Sequence, residues 1–116
     1  MNGVNDCVAT PRKNTNISVI EGTLISDVVL VRCDSKKVSK ATFCLRNTTR
    51  IGENIVFNDF FVIVYGKNAK DCNFFLSTGD NCTVTGKICL RSDENKFENM
   101  RCGATLFASD VFWNKE

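Results

Sequence analysis

VFNDFFVIVYGKNAKDCNFFLSTGDNCTVTGKICLR, residues 56–91, holds two strand-like runs separated by one short segment of different period. Val56 to Tyr65 is strongly apolar, the pattern of a strand with a central place in a sheet. From Asn68 to Ser77 (NAKDCNFFLS), Ala69, Cys72, Phe75 and Leu76 fall at i, i+3, i+6 and i+7, the spacing of one helix face. The segment ends before Thr78-Gly79, and a glycine just past a helix suits its C′ position. Asp80 to Arg91 alternates again: Cys82, Val84, Ile88 and Leu90 oppose Thr83, Thr85, Lys87, Cys89 and Arg91.

Outward from this stretch, three more segments read as β. Ser18 to Arg32 is long and rich in Val and Ile, with Gly22 placed for a bulge or sharp bend. Val38 to Asn47 alternates, Ala41, Phe43 and Leu45 on one face and Thr42, Cys44 and Arg46 on the other. Phe97 to Trp113 holds a last strand. The only proline, Pro11, lies upstream of all of them and breaks none. The order β-β-β-α-β-β predicts an all-β, five-stranded OB-fold barrel with one short helix between strands 3 and 4. An SH3-like barrel lacks that helix, and an immunoglobulin sandwich needs more, shorter strands. The expected organisation is a flexible arm over 1–16, one domain over 17–113, and a C-terminal end over 114–116.

Composition narrows the function classes. A chain of 116 residues with 43% hydrophobic and 24% charged residues builds one modest core. The longest apolar run, Phe60 to Tyr65, is too short to cross a bilayer, and residues 1–16 carry no signal-peptide stretch. Seven cysteines occur without a CxxC pair and without any histidine, which excludes the usual zinc frameworks. Four of them (Cys33, Cys44, Cys82 and Cys89) lie in strand-like segments, where a reduced cysteine serves as a small hydrophobe. The competing reading is a secreted cysteine-rich β-domain binding protein or carbohydrate, to which three N-x-S/T tripeptides at Asn16, Asn47 and Asn81 lend support. An enzyme is the least expected outcome, because the commonest general base is absent and the carboxylates are scattered. Net charge is only +2, yet residues 32–50 carry Arg32, Lys36, Lys37, Lys40, Arg46 and Arg50 against Asp34 alone. A basic segment on a near-neutral protein is the footprint of a localised polyanion site.

From Asp59 onward the sequence resembles the bacterial single-stranded DNA-binding (SSB) family. Asp59-Phe60, an apolar run, Tyr65, and Gly66-Lys67-Asn68-Ala69 are similar to that family's third strand entering its helix. Phe75-Leu76-Ser77-Thr78-Gly79 resembles its helix exit, and Cys82-Thr83-Val84-Thr85-Gly86-Lys87-Ile88 its fourth strand. Gly22-Thr23-Leu24 and Ala41-Thr42-Phe43-Cys44-Leu45 sit where the family has its first and second strands. The likeness spans residues 17–113. It departs in lacking tryptophan at two of the family's stacking positions, the only one here being Trp113, and in ending three residues later without the family's linker and acidic tip. The resemblance thus implies a tail-less or truncated member.

Such a protein binds single strands with aromatic faces for bases and cations for phosphates, and needs no cofactor. Period-2 geometry sets Phe61, Ile63 and Tyr65 on the face opposite Phe60, Val62 and Val64, and Phe57 shares the first parity. By resemblance that first set faces the nucleic acid, so Tyr65, Phe61 and Phe57 are the expected stacking residues, with Phe97 in the strand 4–5 loop region. Phe43, Phe74, Phe75 and Phe107 are expected in the core. Phosphate contacts are expected from Arg46, Arg50, Lys67, Lys87, Arg91, Lys96 and Arg101, extended by Lys36, Lys37 and Lys40. The resemblance further implies a cytoplasmic, nucleoid-associated homodimer or homotetramer that protects single-stranded DNA, or RNA, in replication, repair or recombination. A tail-less primosomal or mobile-element accessory contacting a helicase or primase is the alternative within the same class.

Overall fold

The computed structural model describes residues 14–33, 38–90 and 103–114. Its elements run β1 (Ser18–Leu24), β2 (Val29–Cys33), β3 (Val38–Ile51), β4 (Asn54–Tyr65), α1 (Lys67–Phe75), β5 (Asn81–Cys89) and β6 (Ala104–Phe112). The sheet order β1-β5-β6-β4-β3-β2, with β1 also paired to β3, closes five strands into a barrel with one short helix between β4 and β5. This is the OB-fold that the element order implied.

The expected first strand, Ser18 to Arg32, is two strands, because it must serve both ends of the barrel's seam. β1 pairs with β5 from Ser18↔Gly86 to Thr23↔Asn81 and reaches β3 only at Thr23↔Arg46 and Leu24↔Leu45. Here a Cβ at Gly22 would run into the backbone carbonyl of Arg46, so glycine lets the two strands cross at the seam. After a break at residues 25–28, β2 rejoins β3 from Val29↔Thr42 to Cys33↔Val38. The break keeps its backbone bonds: Ile25 N–H donates to the Cys44 carbonyl at 2.9 Å, and Cys44 N–H donates to Ser26 Oγ at 2.8 Å. The turn before β5 clamps the same corner. Leu24 N–H donates to the Asp80 carbonyl (2.8 Å), Gly79 N–H to the Leu24 carbonyl (2.9 Å), and Thr78 N–H and Oγ1–H both to Asp27 Oδ1 (3.0 and 2.6 Å). Those two bonds hold the Asp27 carboxyl below its ordinary pKa, because both favour the charged form.

β3 and β4 extend beyond the expected Val38–Asn47 and Val56–Tyr65 to form a twelve-pair antiparallel hairpin joined by Gly52-Glu53, with Gly52 at φ 65°. Its far end, Ile51 and Ile55 included, stands out from the barrel exposed. The core is filled by Leu24, Phe43, Leu45, Val62, Val64, Val84 and Leu106, and α1 plugs it with Ala69, Cys72 and then Leu76. The helix stops at Phe75, two residues before the expected end, since Leu76 is already extended and Gly79 belongs to the turn into β5. Phe74 and Phe75, in the last turn of the helix, lie off the stripe that Ala69 and Cys72 bury. Phe74 is 80% exposed and Phe75 half-exposed, their rings 4.8 Å apart, with Trp113 5.8 Å beyond. Phe43 lies in the core as expected.

Candidate nucleic-acid interface

Cross-strand register sorts the outer face of the barrel into rows. Counting from the β2 end of the β3–β4 pair, the rows are Lys40–Tyr65, then Thr42–Ile63 continuing to Phe107 on β6 and Lys87 on β5. Next comes Cys44–Phe61–Thr105–Cys89. Arg46–Asp59, Thr48–Phe57 and Arg50–Ile55 complete the face toward the hairpin tip. The stacking and phosphate candidates Tyr65, Phe61, Phe57, Lys40, Arg46, Arg50 and Lys87 therefore share one surface, as their parity required.

That surface is closed in its middle and open at its ends. Phe61 is 2% exposed and Ile63 0%, and with Cys44 they form a second apolar cluster against Phe107, on the opposite side of the sheet from the barrel core. The expectation that Phe61 offers a ring to a base is thereby corrected: its faces are taken by protein atoms. Phe107 is likewise a member of this outer cluster and not of the barrel interior. Parity decides which side of a sheet a residue occupies, but not whether that side is covered. Tyr65 at one end is 46% exposed and Phe57 at the other 58%. Eight residues apart on one strand, they stand about 26 Å from each other at ~3.3 Å per residue.

Phe57 is embedded in a network that sequence reasoning missed. Arg46 Nε donates to Asp59 Oδ1 at 2.8 Å and its Nη2 to Asp59 Oδ2 at 3.0 Å, a side-on bidentate pair. The guanidinium carbon lies 4.7 Å from the centroid of the Phe57 ring, within cation–π range. The Arg46 hydrogen bond holds the Asp59 carboxyl below its ordinary pKa, and reciprocally the Arg46 pKa is raised. Beside the pair lies an open depression of about 320 Å³ lined by Phe57, Asn58, Asp59, Phe60, Gly103 and Ala104. The signal was available: the two-residue turn at Gly52-Glu53 fixes the register, and counting back from it sets Arg46 opposite Asp59.

The other cations divide. Arg50 sits on the projecting hairpin, while Lys87 is exposed next to Phe107. Lys67 is on the first turn of α1, off the sheet face, and its Nζ is 2.9 Å from Asp71 Oδ2. Arg91, Lys96, Arg101, Lys36, Lys37 and the stacking candidate Phe97 lie outside the described residues.

Features that suggested a secreted scaffold have structural explanations here. Asn16 Nδ2 donates to the Ile88 carbonyl (2.9 Å) while its Oδ1 accepts from Ile88 N–H (3.1 Å), so the amide continues the edge of β5. Asn47 Nδ2 donates to the Glu21 carbonyl (2.9 Å), and Asn81 Oδ1 accepts from Thr23 Oγ1–H (2.6 Å). Cys44 and Cys89 end the same row with β4 and β6 between them, three strand spacings or about 14 Å apart, too far to be joined. Cys72 and Cys82 are buried core thiols, and burial pushes them up to about 12 and about 11. Thiols so raised stay protonated and inert at neutral pH. Among the described residues no group of His, Cys, Asp or Glu is placed to hold a metal, and no helix is long and apolar enough to cross a membrane.

No family model matches the sequence and no curated relative is found for it. Solved structures do match. A small single-stranded DNA-binding protein from Streptomyces coelicolor superposes with a TM-score of 0.71 at 19% identity, covering 89% of this chain and 96% of that one. The SSB domain of a Synechococcus protein gives 0.65 at 13% identity, covering 88% and 99%. The second SSB of Mycobacterium smegmatis gives 0.63 at 18% identity, covering 85% and 88%. The chain has the fold of bacterial SSB domains.

Proposed function

We propose that this chain binds single-stranded DNA without sequence preference. Bases would stack on Tyr65 and Phe57, and phosphates would be held by Lys40, Lys87 and Arg50. The observation that carries the reading is the outer face of the OB barrel, where two exposed rings on one strand stand among cations on a fold shared with SSB domains. Stacking on an aromatic face tolerates any base because every base has a π-face, and a cationic groove tracks the backbone. The span between the rings suits the roughly 4–16 nucleotides that one OB domain covers. Lys67 and the cations outside the described residues (Arg91, Lys96, Arg101, Lys36 and Lys37) would extend the phosphate track, with Phe97 as a further ring. On this reading the protein belongs with the SSB family, acts in the cytoplasm as a homodimer or homotetramer, and protects single strands in replication, repair or recombination.

A second reading, an accessory that contacts a helicase or primase, is favoured by the exposed Phe74 and Phe75 on α1. An exposed aromatic group on the helix suits a protein partner. Titration of labelled poly(dT), poly(rU) and duplex DNA at two salt concentrations tests the first reading. Tight binding confined to single strands, falling with log salt at a slope of about −0.7 per phosphate contacted, supports it. Equal duplex binding or a salt-independent affinity overturns it.

A further inference from the structure

We infer that Phe57, Arg46 and Asp59 form a single-base subsite in which Arg46 acts as a stacking clamp and not as a phosphate ligand, its charge cancelled by Asp59. The inference rests on the single-strand reading above and changes the role first expected for Arg46. Two of the five guanidinium N–H donors, those on the Nε–Nη2 edge, are given to the Asp59 carboxylate at 2.8 and 3.0 Å. That edge is one of the two that a phosphate or carboxylate engages bidentately, and here it is already taken within the protein. The pair is also close to neutral as a unit. A neutral unit releases no counterion when a strand arrives, and counterion release is what a phosphate ligand contributes.

What remains available is planar surface. The guanidinium lies 4.7 Å from the centroid of Phe57, and the ring is exposed beside the depression of about 320 Å³. Aromatic rings and guanidinium planes are the two protein surfaces on which nucleobases stack. Asp59 has the further task of fixing the plane: a bidentate pair holds both the direction and the rotation of the guanidinium, so the Arg46–Phe57 contact exists before a base arrives. Asn58 and Asp59 supply polar edge to the same depression.

The test separates stacking from phosphate contact by charge-balanced substitution. In the double variant Arg46→Met/Asp59→Asn the net charge is that of the parent. Affinity for poly(dT) is expected to fall while the slope of log affinity against log salt stays unchanged; a slope shallower by about 0.7 would make Arg46 a phosphate ligand and overturn the inference. Asp59→Asn alone uncovers the Arg46 charge, and the slope is expected to steepen by about 0.7. No change in slope there would show that Asp59 does not mask it. Phe57→Ala is expected to weaken poly(dT) binding by about 5- to 150-fold, the range for one lost stack. It should have no effect on an abasic polymer of equal length; an equal loss on the abasic polymer refutes a base subsite. Unchanged circular dichroism and melting confirm that each variant is folded. Failure of the parent protein to bind single strands at all would overturn the broader reading, whereas failure of these variants overturns only the subsite.

Discussion

Replacing Tyr65 by alanine and Phe61 by leucine should divide affinity from stability, because the two residues share one parity and differ only in cover. Phe61 is 2% exposed and packs with Cys44 and Ile63, so trimming it to leucine costs about 1–2 kcal/mol of folding free energy. Unfolding entropy near 2.1 cal/mol/K per residue, over a chain of 116 residues, converts each kcal/mol to about 4 °C. Phe61→Leu should therefore lower Tm by about 4–8 °C. Tyr65 is half-exposed at the end of its row, and its truncation should stay within about 0.5 kcal/mol, or ~2 °C. The order reverses for binding. Loss of one base stack at about 1–3 kcal/mol weakens poly(dT) affinity roughly 5- to 150-fold for Tyr65→Ala. Phe61→Leu should change affinity by about twofold or less, since a stack it does not make has no energy to lose. Thermal melts by circular dichroism and anisotropy titrations of a labelled oligonucleotide read both quantities on the same samples. The reasoning fails if Tyr65→Ala binds like the parent, or if Phe61→Leu loses tenfold in affinity with its Tm intact.

Two further outcomes follow from the fold. Gly86→Ala would drive a Cβ into the backbone carbonyl of Phe107, at the register shift where β5 meets β6; the loss expected is about 1–3 kcal/mol, seen as a lower urea midpoint with an unchanged slope m. The thiols of Cys72 and Cys82 have folded pKa values raised to about 12 and about 11 from an unfolded value near 9. Their contribution is fully present below pH 9 and is lost as pH rises toward 11–12, about 1–2 kcal/mol for each by pH 10.5. Urea melts at pH 8 and pH 10.5 should show that loss, and Cys72→Ala should flatten the pH dependence even though it lowers stability at both.

The architecture was legible because its signals are local. A run of alternating residues, a helical spacing at Ala69 and Cys72, and a final alternation at Cys82 to Ile88 require no knowledge of what packs on them. The break in the first strand was not legible, since it arises from closure: the segment is extended and apolar throughout, and only the meeting of Thr23 with both Asn81 and Arg46 forces it to leave one partner for another. Phe74 and Phe75 were misplaced for a related reason. A nine-residue helix plugging a barrel buries a narrow stripe, here Ala69 and Cys72 with Leu76 beyond, and the i+5 and i+6 positions fall outside it. At the candidate site, parity assigned the correct face to Tyr65, Phe61 and Phe57 but carried no information on cover.

The covered centre has a consequence for how the face can work. A barrel wall with three adjacent exposed rings on one strand would hold a single strand by continuous stacking. Here the rows between Phe57 and Tyr65 present Arg46–Asp59, then Cys44–Phe61, then Thr42–Ile63, of which the last two are packed shut. Stacking on β4 is thus restricted to two footholds about 26 Å apart. One end sets Tyr65 beside Lys40, and the other sets Phe57 beside Arg46, with Arg50 further along the hairpin. At the Phe57 end the cation against the ring, Arg46, is already paired with Asp59. Salt should therefore leave the contribution of the Phe57 ring unchanged, because counterion release accompanies phosphate contact and not stacking. The penalty for Phe57→Ala on poly(dT) binding, read by anisotropy titration, should then be the same at low and high salt. A Phe57→Ala penalty that shrinks as salt rises would mean that the ring acts together with an uncompensated charge, and that the Arg46–Asp59 pair does not neutralise its end of the face.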